Sequence, residues 1–203
     1  MKLRFGNFND SDLVVDHGTG TLTTNFNLVN VLFTSAGTST NARQGDLPGQ
    51  SITLQGGTSN ANNGRSLSLY VSTVGLSDIA ISFATQRTST GFNTNQFQYS
   101  LDGVTFINFG APYAPPLTFG LVMFDLSGIS GVNDNPNAAF RILFNGATST
   151  SGNNRIDNLV VEGQNISTPI PEPASILLLS LGLTGTLAPR LKAWRRKPGR
   201  QRD

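Results

Sequence analysis

The chain contains no cysteine. Disulfides, thiolate metal sites and a cysteine nucleophile are therefore excluded. It contains one histidine, His17, which rules out a histidine-rich metal site and would make any Ser-His-Asp triad depend on that residue. Charged residues are scarce at 13%. Apolar residues before Ala174 recur at every second position, so helical periodicity is missing there. Residues 1–10 lack the apolar h-region of a secretory leader. The basic residues are unevenly placed: seven of the 14 lie between Arg190 and Arg202, and residues 1–171 carry seven against ten acidic, a net charge of −3. The overall charge of +2 thus belongs to the C-terminus. No nucleic-acid partner is expected, because the fold itself has no basic excess.

What the chain does have is Ser, Thr, Asn and Gly, 22 of the last, the composition of an extracellular all-β domain. About 165 residues precede the tail, enough for one domain with a sizeable core. Period-two runs predict strands over 3–8, 22–26, 28–33, 51–54, 66–71, 79–83, 96–101, 104–109, 119–126, 140–144 and 156–162. Asp102-Gly103 between two such runs is a strong hairpin signal. Small polar loops are expected over 34–48, 56–64 and 86–95. The predicted core includes Phe83, Phe97, Tyr99, Phe124, Ile142 and Phe144. With no crossover helices, the fold class is all-β: a single antiparallel β-sandwich over residues 1–163. A linker over 164–170 and a distinct C-terminal segment over 171–203 follow.

That segment has three parts in order. Pro169, Pro171 and Pro173 surround Glu172, and prolines at this density exclude a helix interior or a central strand. Ala174–Leu187 is apolar and uncharged. Arg190, Lys192, Arg195, Arg196 and Lys197 then begin a cationic end. As a helix, 174–189 spans about 24 Å, and extension to Trp194 gives about 31 Å, close to the hydrocarbon core. The expectation is one short transmembrane helix whose basic end stays cytoplasmic.

Pro171-Glu172-Pro173, the apolar span and the terminal Arg/Lys cluster together resemble the PEP-CTERM sorting signal of Gram-negative bacteria. The resemblance implies recognition by exosortase, a membrane-embedded protease-like enzyme, with cleavage near the Pro-Glu-Pro motif. It further implies passage through the inner membrane, release to the cell surface or medium, and an association with exopolysaccharide and biofilm. Pro189 and Ala193-Trp194 depart from that pattern by separating the apolar run from Arg195-Arg196-Lys197. Export also requires a leader, so the expectation is that Met1 lies inside a longer protein.

A second resemblance rests on Tyr99–Phe106, Phe124–Ser127 and Asn153–Val161. These stretches are similar to jelly-roll modules of bacterial secreted proteins, which in layout are like carbohydrate-binding domains. Such modules occur alone or appended to extracellular nucleases and other hydrolases. The main reading is a non-catalytic surface or matrix protein. The alternatives are a glycan-binding module, or the accessory domain of a hydrolase or nuclease with a truncated N-terminus.

Three groups of residues carry candidate chemistry. Asp157, with Asn158 and the Asn9-Asp10-Asp12 stretch, offers hard oxygen ligands for a structural Ca²⁺; alternatively Asp157 bonds loop amides or pairs with Arg155. Arg87 and Tyr113, with the 88–95 and 60–63 loops, suggest planar and aromatic contacts to a sugar; alternatively these are solvated loops. Asp16-His17 is a weak acid-base hint that no Gly-x-Ser-x-Gly or paired-carboxylate pattern supports.

Overall fold

The computed structural model describes residues 2–166 other than Gln44. Eleven strands are present among them: β1 (Lys2–Gly6), β2 (Thr21–Thr24), β3 (Val31–Ala36), β4 (Gln50–Gln55), β5 (Arg65–Tyr70), β6 (Leu76–Arg87), β7 (Gln96–Ser100), β8 (Ile107–Asn108), β9 (Gly120–Asp125), β10 (Ala139–Phe144) and β11 (Asn153–Asn165). Every pairing is antiparallel. One sheet runs β3-β4-β11-β6-β9, with β1 also on β11; the other runs β2-β5-β10-β7-β8. The sandwich expected from the sequence is therefore present. The helical segments among the described residues are three 3₁₀ turns of three residues each.

Alternation buries one side of each sheet against the other. From the first sheet come Ile52, Leu54, Ile79, Ile81, Phe83, Ile156 and Val161; from the second come Leu22, Leu67, Leu69, Phe97, Phe140, Ile142 and Phe144, all buried. Phe97 stacks on Phe124 at 4.0 Å and 8°. Phe144 meets Phe26 at 5.5 Å and Phe92 at 5.6 Å, both edge-on, the geometry that aromatic quadrupoles favour. Tyr99 and Phe124 are partly buried against this core, at its margin rather than its centre.

Four segments differ from the sequence reading, each for a local reason. Residues 28–33 are not one strand: the Asn27 side chain accepts from the Val29 amide at 3.3 Å and closes a 3₁₀ turn over Leu28–Asn30, the kind of local bond that competes with a ladder. The strand expected over 104–109 shrinks to β8. Asp102 Oδ1 takes the amides of Val104 and Thr105 at 2.8 and 2.7 Å, so the residues after the Asp-Gly turn cannot pair. The apolar run at 119–126 forms β9 at a sheet edge, with Leu121 and Met123 exposed. Finally, β11 continues to Asn165, so the linker read at 164–170 begins inside the sheet.

Among the described residues, no helix is long and apolar enough to cross a membrane. The expected membrane helix, the Pro171-Glu172-Pro173 motif and the basic end all lie outside the described residues.

Candidate functional site

The side chains singled out in the sequence turn out to hold loops. Arg87 Nε donates to the Pro115 carbonyl at 3.0 Å and Nη1 to that of Thr88 at 3.2 Å. Tyr113 exchanges backbone hydrogen bonds with Asn95, both at 2.8 Å, and its ring packs on Phe124 at 5.6 Å. Burial pushes its hydroxyl above the usual phenol range, with a bond from Asn95 opposing. Arg87 and Tyr113 are thus brought together, but as clamps on the 112–116 segment; the aromatic face read as a sugar platform lies against Phe124. The Asn-rich loop behaves alike: Asn62 Nδ2 reaches the Gln55 carbonyl at 2.8 Å, and Asn63 Nδ2 reaches that of Ala147 at 3.1 Å.

Asp157 bonds loop amides, as its alternative reading expected. Its Oδ2 accepts the Thr38 amide at 2.7 Å and its Oδ1 the Asn158 amide at 2.8 Å. The oxygens proposed beside it are also committed: Asn9 Oδ1 takes the Gln50 amide and Asp12 Oδ1 that of Val14, both at 2.7 Å. Among the described residues no group of three His, Cys, Asp or Glu could hold a metal ion. Asp16 Oδ2 accepts the Asn7 amide at 2.8 Å, while His17 is exposed.

A different group of residues is assembled by sheet register. Leu67, Leu69, Phe97, Phe140 and Ile142 point into the core, so their neighbours point to the opposite face of the β2-β5-β10-β7-β8 sheet. There Thr23 pairs with Ser68, Ser68 with Arg141, Arg141 with Gln98 and Gln98 with Asn108. One polar residue from each of five strands forms a single row across the sheet. Three of its five members are bonded in series: Arg141 Nε donates to Gln98 Oε1 at 2.7 Å, and Gln98 Nε2 donates to Asn108 Oδ1 at 2.7 Å.

Phe106, two residues before Asn108, lies over this row with its ring centroid 3.9 Å from the Arg141 guanidinium carbon. That contact is a cation–π stack. Desolvation lowers the Arg141 pKa, and the Tyr70 hydroxyl opposes the shift. Tyr70 is 38% exposed, at the end of β5 beside an open cavity of about 380 Å³ bounded also by Asp102 and Asn137. Each residue of the row follows its strand's alternation, which in the sequence reads only as a solvent side.

No family model and no curated protein matches the chain. Solved structures of similar fold exist. The CBM22-1 xylan-binding domain of Paenibacillus barcinonensis Xyn10C is 13% identical over 82% of this chain and 95% of that one, with a TM-score of 0.48. The K2 cleaved adhesin domain of Lys-gingipain is 10% identical over 80% and 98%, with a TM-score of 0.48. TmCBM61, solved with β-1,4-galactotriose, is 12% identical over 72% and 90%, with a TM-score of 0.41. The likeness is one of fold.

In chemical terms the row joins two hydroxyls, two planar amides and one guanidinium beneath the Phe106 ring; Thr23 and Asn108 are exposed, Arg141 is half-buried, and Ser68 and Gln98 are buried. Its amide and guanidinium orientations are set by one another before any ligand arrives. The groups that remain open to a partner are Thr23, Asn108 and the uncovered part of Arg141.

Proposed function

We propose that the β-sandwich is a non-catalytic glycan-binding module that its C-terminal signal delivers to the cell surface. The observation that carries the binding role is the Thr23-Ser68-Arg141-Gln98-Asn108 row, internally bonded and flanked by Phe106 and Tyr70. Sugars present pairs of hydroxyls that planar amides and guanidinium groups meet two at a time, and C–H faces that rest on aromatic rings. Because Arg141, Gln98 and Asn108 already fix one another, little side-chain entropy remains to be lost on binding. Delivery is supported by residues 169–202, whose prolines, apolar span and basic end meet the requirements of an exosortase substrate.

The test is calorimetric titration of the full chain with a panel of bacterial and plant polysaccharides, repeated with Gln98→Ala. This substitution removes the amide that links Arg141 to Asn108. The expected result is saturable binding to at least one polysaccharide, weakened tenfold or more by the substitution. Binding of none, or binding indifferent to Gln98, overturns the role of this face.

A further inference from the structure

Arg141 is the one charged residue of the row, and it has no counter-ion there. Its Nε is engaged by Gln98 and one face by Phe106. Asp102, the acid at the end of this face, spends its Oδ1 on the Val104 and Thr105 amides and the Ser100 hydroxyl, the last at 2.8 Å. A half-buried cation without an anion is costly to keep in a row otherwise built from neutral groups. Elsewhere the fold handles an arginine differently: Arg87 spends its donors on backbone carbonyls.

We infer that the glycan taken by this face is anionic, with a carboxylate or sulfate ester on a sugar ring seated against the guanidinium edge of Arg141. The inference rests on the glycan-binding reading above and specifies its ligand. A guanidinium held by Nε and by one face presents its terminal N–H groups in a fixed plane. That is the fork to which two oxygens of one anion bind together. Exposed Thr23 continues the row beyond Arg141 and buried Ser68, so its hydroxyl meets the ring that carries the anion. Burial that weakens the arginine's hydration also strengthens its attraction to the incoming charge.

The experiment compares acidic polysaccharides with their own neutral forms on several backbones: uronate polymers against their methyl esters, and sulfated galactans against desulfated ones. The full chain is titrated as wild type, Arg141→Gln and Arg141→Lys, with thermal melts confirming that each folds. The basic residues 190–202 are common to all three, so non-specific attraction to polyanions cancels in the comparison. The expected result is a preference for the acidic member of a pair that falls tenfold or more in Arg141→Gln, and partly in Arg141→Lys, which keeps the charge but loses the fork. Which acidic member binds tells carboxylate from sulfate.

Should Arg141→Gln not fold, the side-chain Nε–H resonance of Arg141 in the wild type decides. Its shift on adding the acidic oligosaccharide supports the inference, and shifts confined to other arginines overturn it. Equal binding of acidic and neutral forms, unchanged by Arg141→Gln, overturns the anionic ligand and leaves glycan binding standing. Binding of neither form overturns both.

Discussion

Asp157 is 1% exposed, and three influences compete for its proton. Burial disfavours the charged carboxylate most strongly. The amides of Thr38 and Asn158 favour it, and the neighbouring Asp46 adds to the opposition. Burial prevails, and the pKa is pushed up to about 7. In the unfolded chain the group titrates near its ordinary value of about 3.9. Between about pH 4 and 7 the native state therefore holds a proton that the unfolded chain has released. Its contribution to stability is full below that window and is lost as pH rises through it. The melting temperature of the wild type should thus decline from pH 4 to 7.5 relative to Asp157→Asn, whose amide cannot ionise. Every other titrating group is shared, so the difference between the two curves reports this one carboxyl. Parallel curves would mean that it stays ionised throughout. The sequence singled out Asp157 and allowed that it might bond loop amides, because an Asp-Asn pair entering an apolar strand has to satisfy its oxygens locally. Arg141 was not legible in the same way. Within Phe140–Phe144 it reads as one polar alternation among many, and only the register of five strands sets it beside Gln98 and beneath Phe106.

The element that gathers the most structure is β11, which pairs with β1, β4 and β6. Its register against β6 shifts between Asp157 and Val160, and Asn158 sits at the shift with φ of 50°. This β-bulge redirects two consecutive side chains toward the 37–43 loop. Asn158 Nδ2 donates to the carbonyls of Thr38 at 2.7 Å and Thr40 at 2.9 Å, and Asn41 Nδ2 returns a bond to the Asn158 carbonyl at 2.8 Å. Asparagine suits the position twice, since it tolerates the left-handed conformation and carries the amide. The two roles can be separated. Asn158→Gly keeps the conformation and loses the side-chain bonds, at about 0.5–1.5 kcal/mol for each. Asn158→Ala loses both, and should cost roughly 1–2 kcal/mol more. Denaturant unfolding of the two variants checks this; equal losses would show that the positive φ carries no cost. At this scale most strands were legible, since Leu67-Ser68-Leu69 and Phe97-Gln98-Tyr99 alternate without ambiguity. The failures were at Asn27 and Asp102, where one short side chain bonds the following amides and ends a pattern that hydrophobicity alone would continue.

For the whole molecule, alternation identified a sandwich but could not order it. A period of two says which face a residue occupies and nothing about which strand lies beside it, and here β1 and β11 come from opposite ends of the domain. The tail is the opposite case, legible through order and composition alone. Residues 1–171 carry a net charge of −3, whereas the seven basic residues at 190–202 lie just beyond an uncharged apolar run. Such a chain reads as a polar domain followed by a membrane stop. On the proposed sorting role, residues 169–202 would serve a processing substrate in three ways. Pro169, Pro171 and Pro173, at a density that excludes a helix interior, would present Glu172 at the outer membrane face. The apolar run, barely long enough to span as a helix and containing Gly182 and Gly185, would hold the chain only transiently. Each arginine at the bilayer centre costs about 2.5–3.5 kcal/mol on insertion scales, which would keep the basic end inside. Behind a working leader, in a host with exosortase, the expected outcome is cleavage near Pro171-Glu172-Pro173 and loss of the tail. Mass spectrometry of the mature C-terminus measures it, with Glu172→Ala and an exosortase-deletion strain as partners in which the tail should persist. Recovery of an intact Trp194-containing peptide from mature surface protein of the wild type would show a permanent anchor, and the sorting role would fall while the polar row on the β2-β5-β10-β7-β8 sheet kept its own tests.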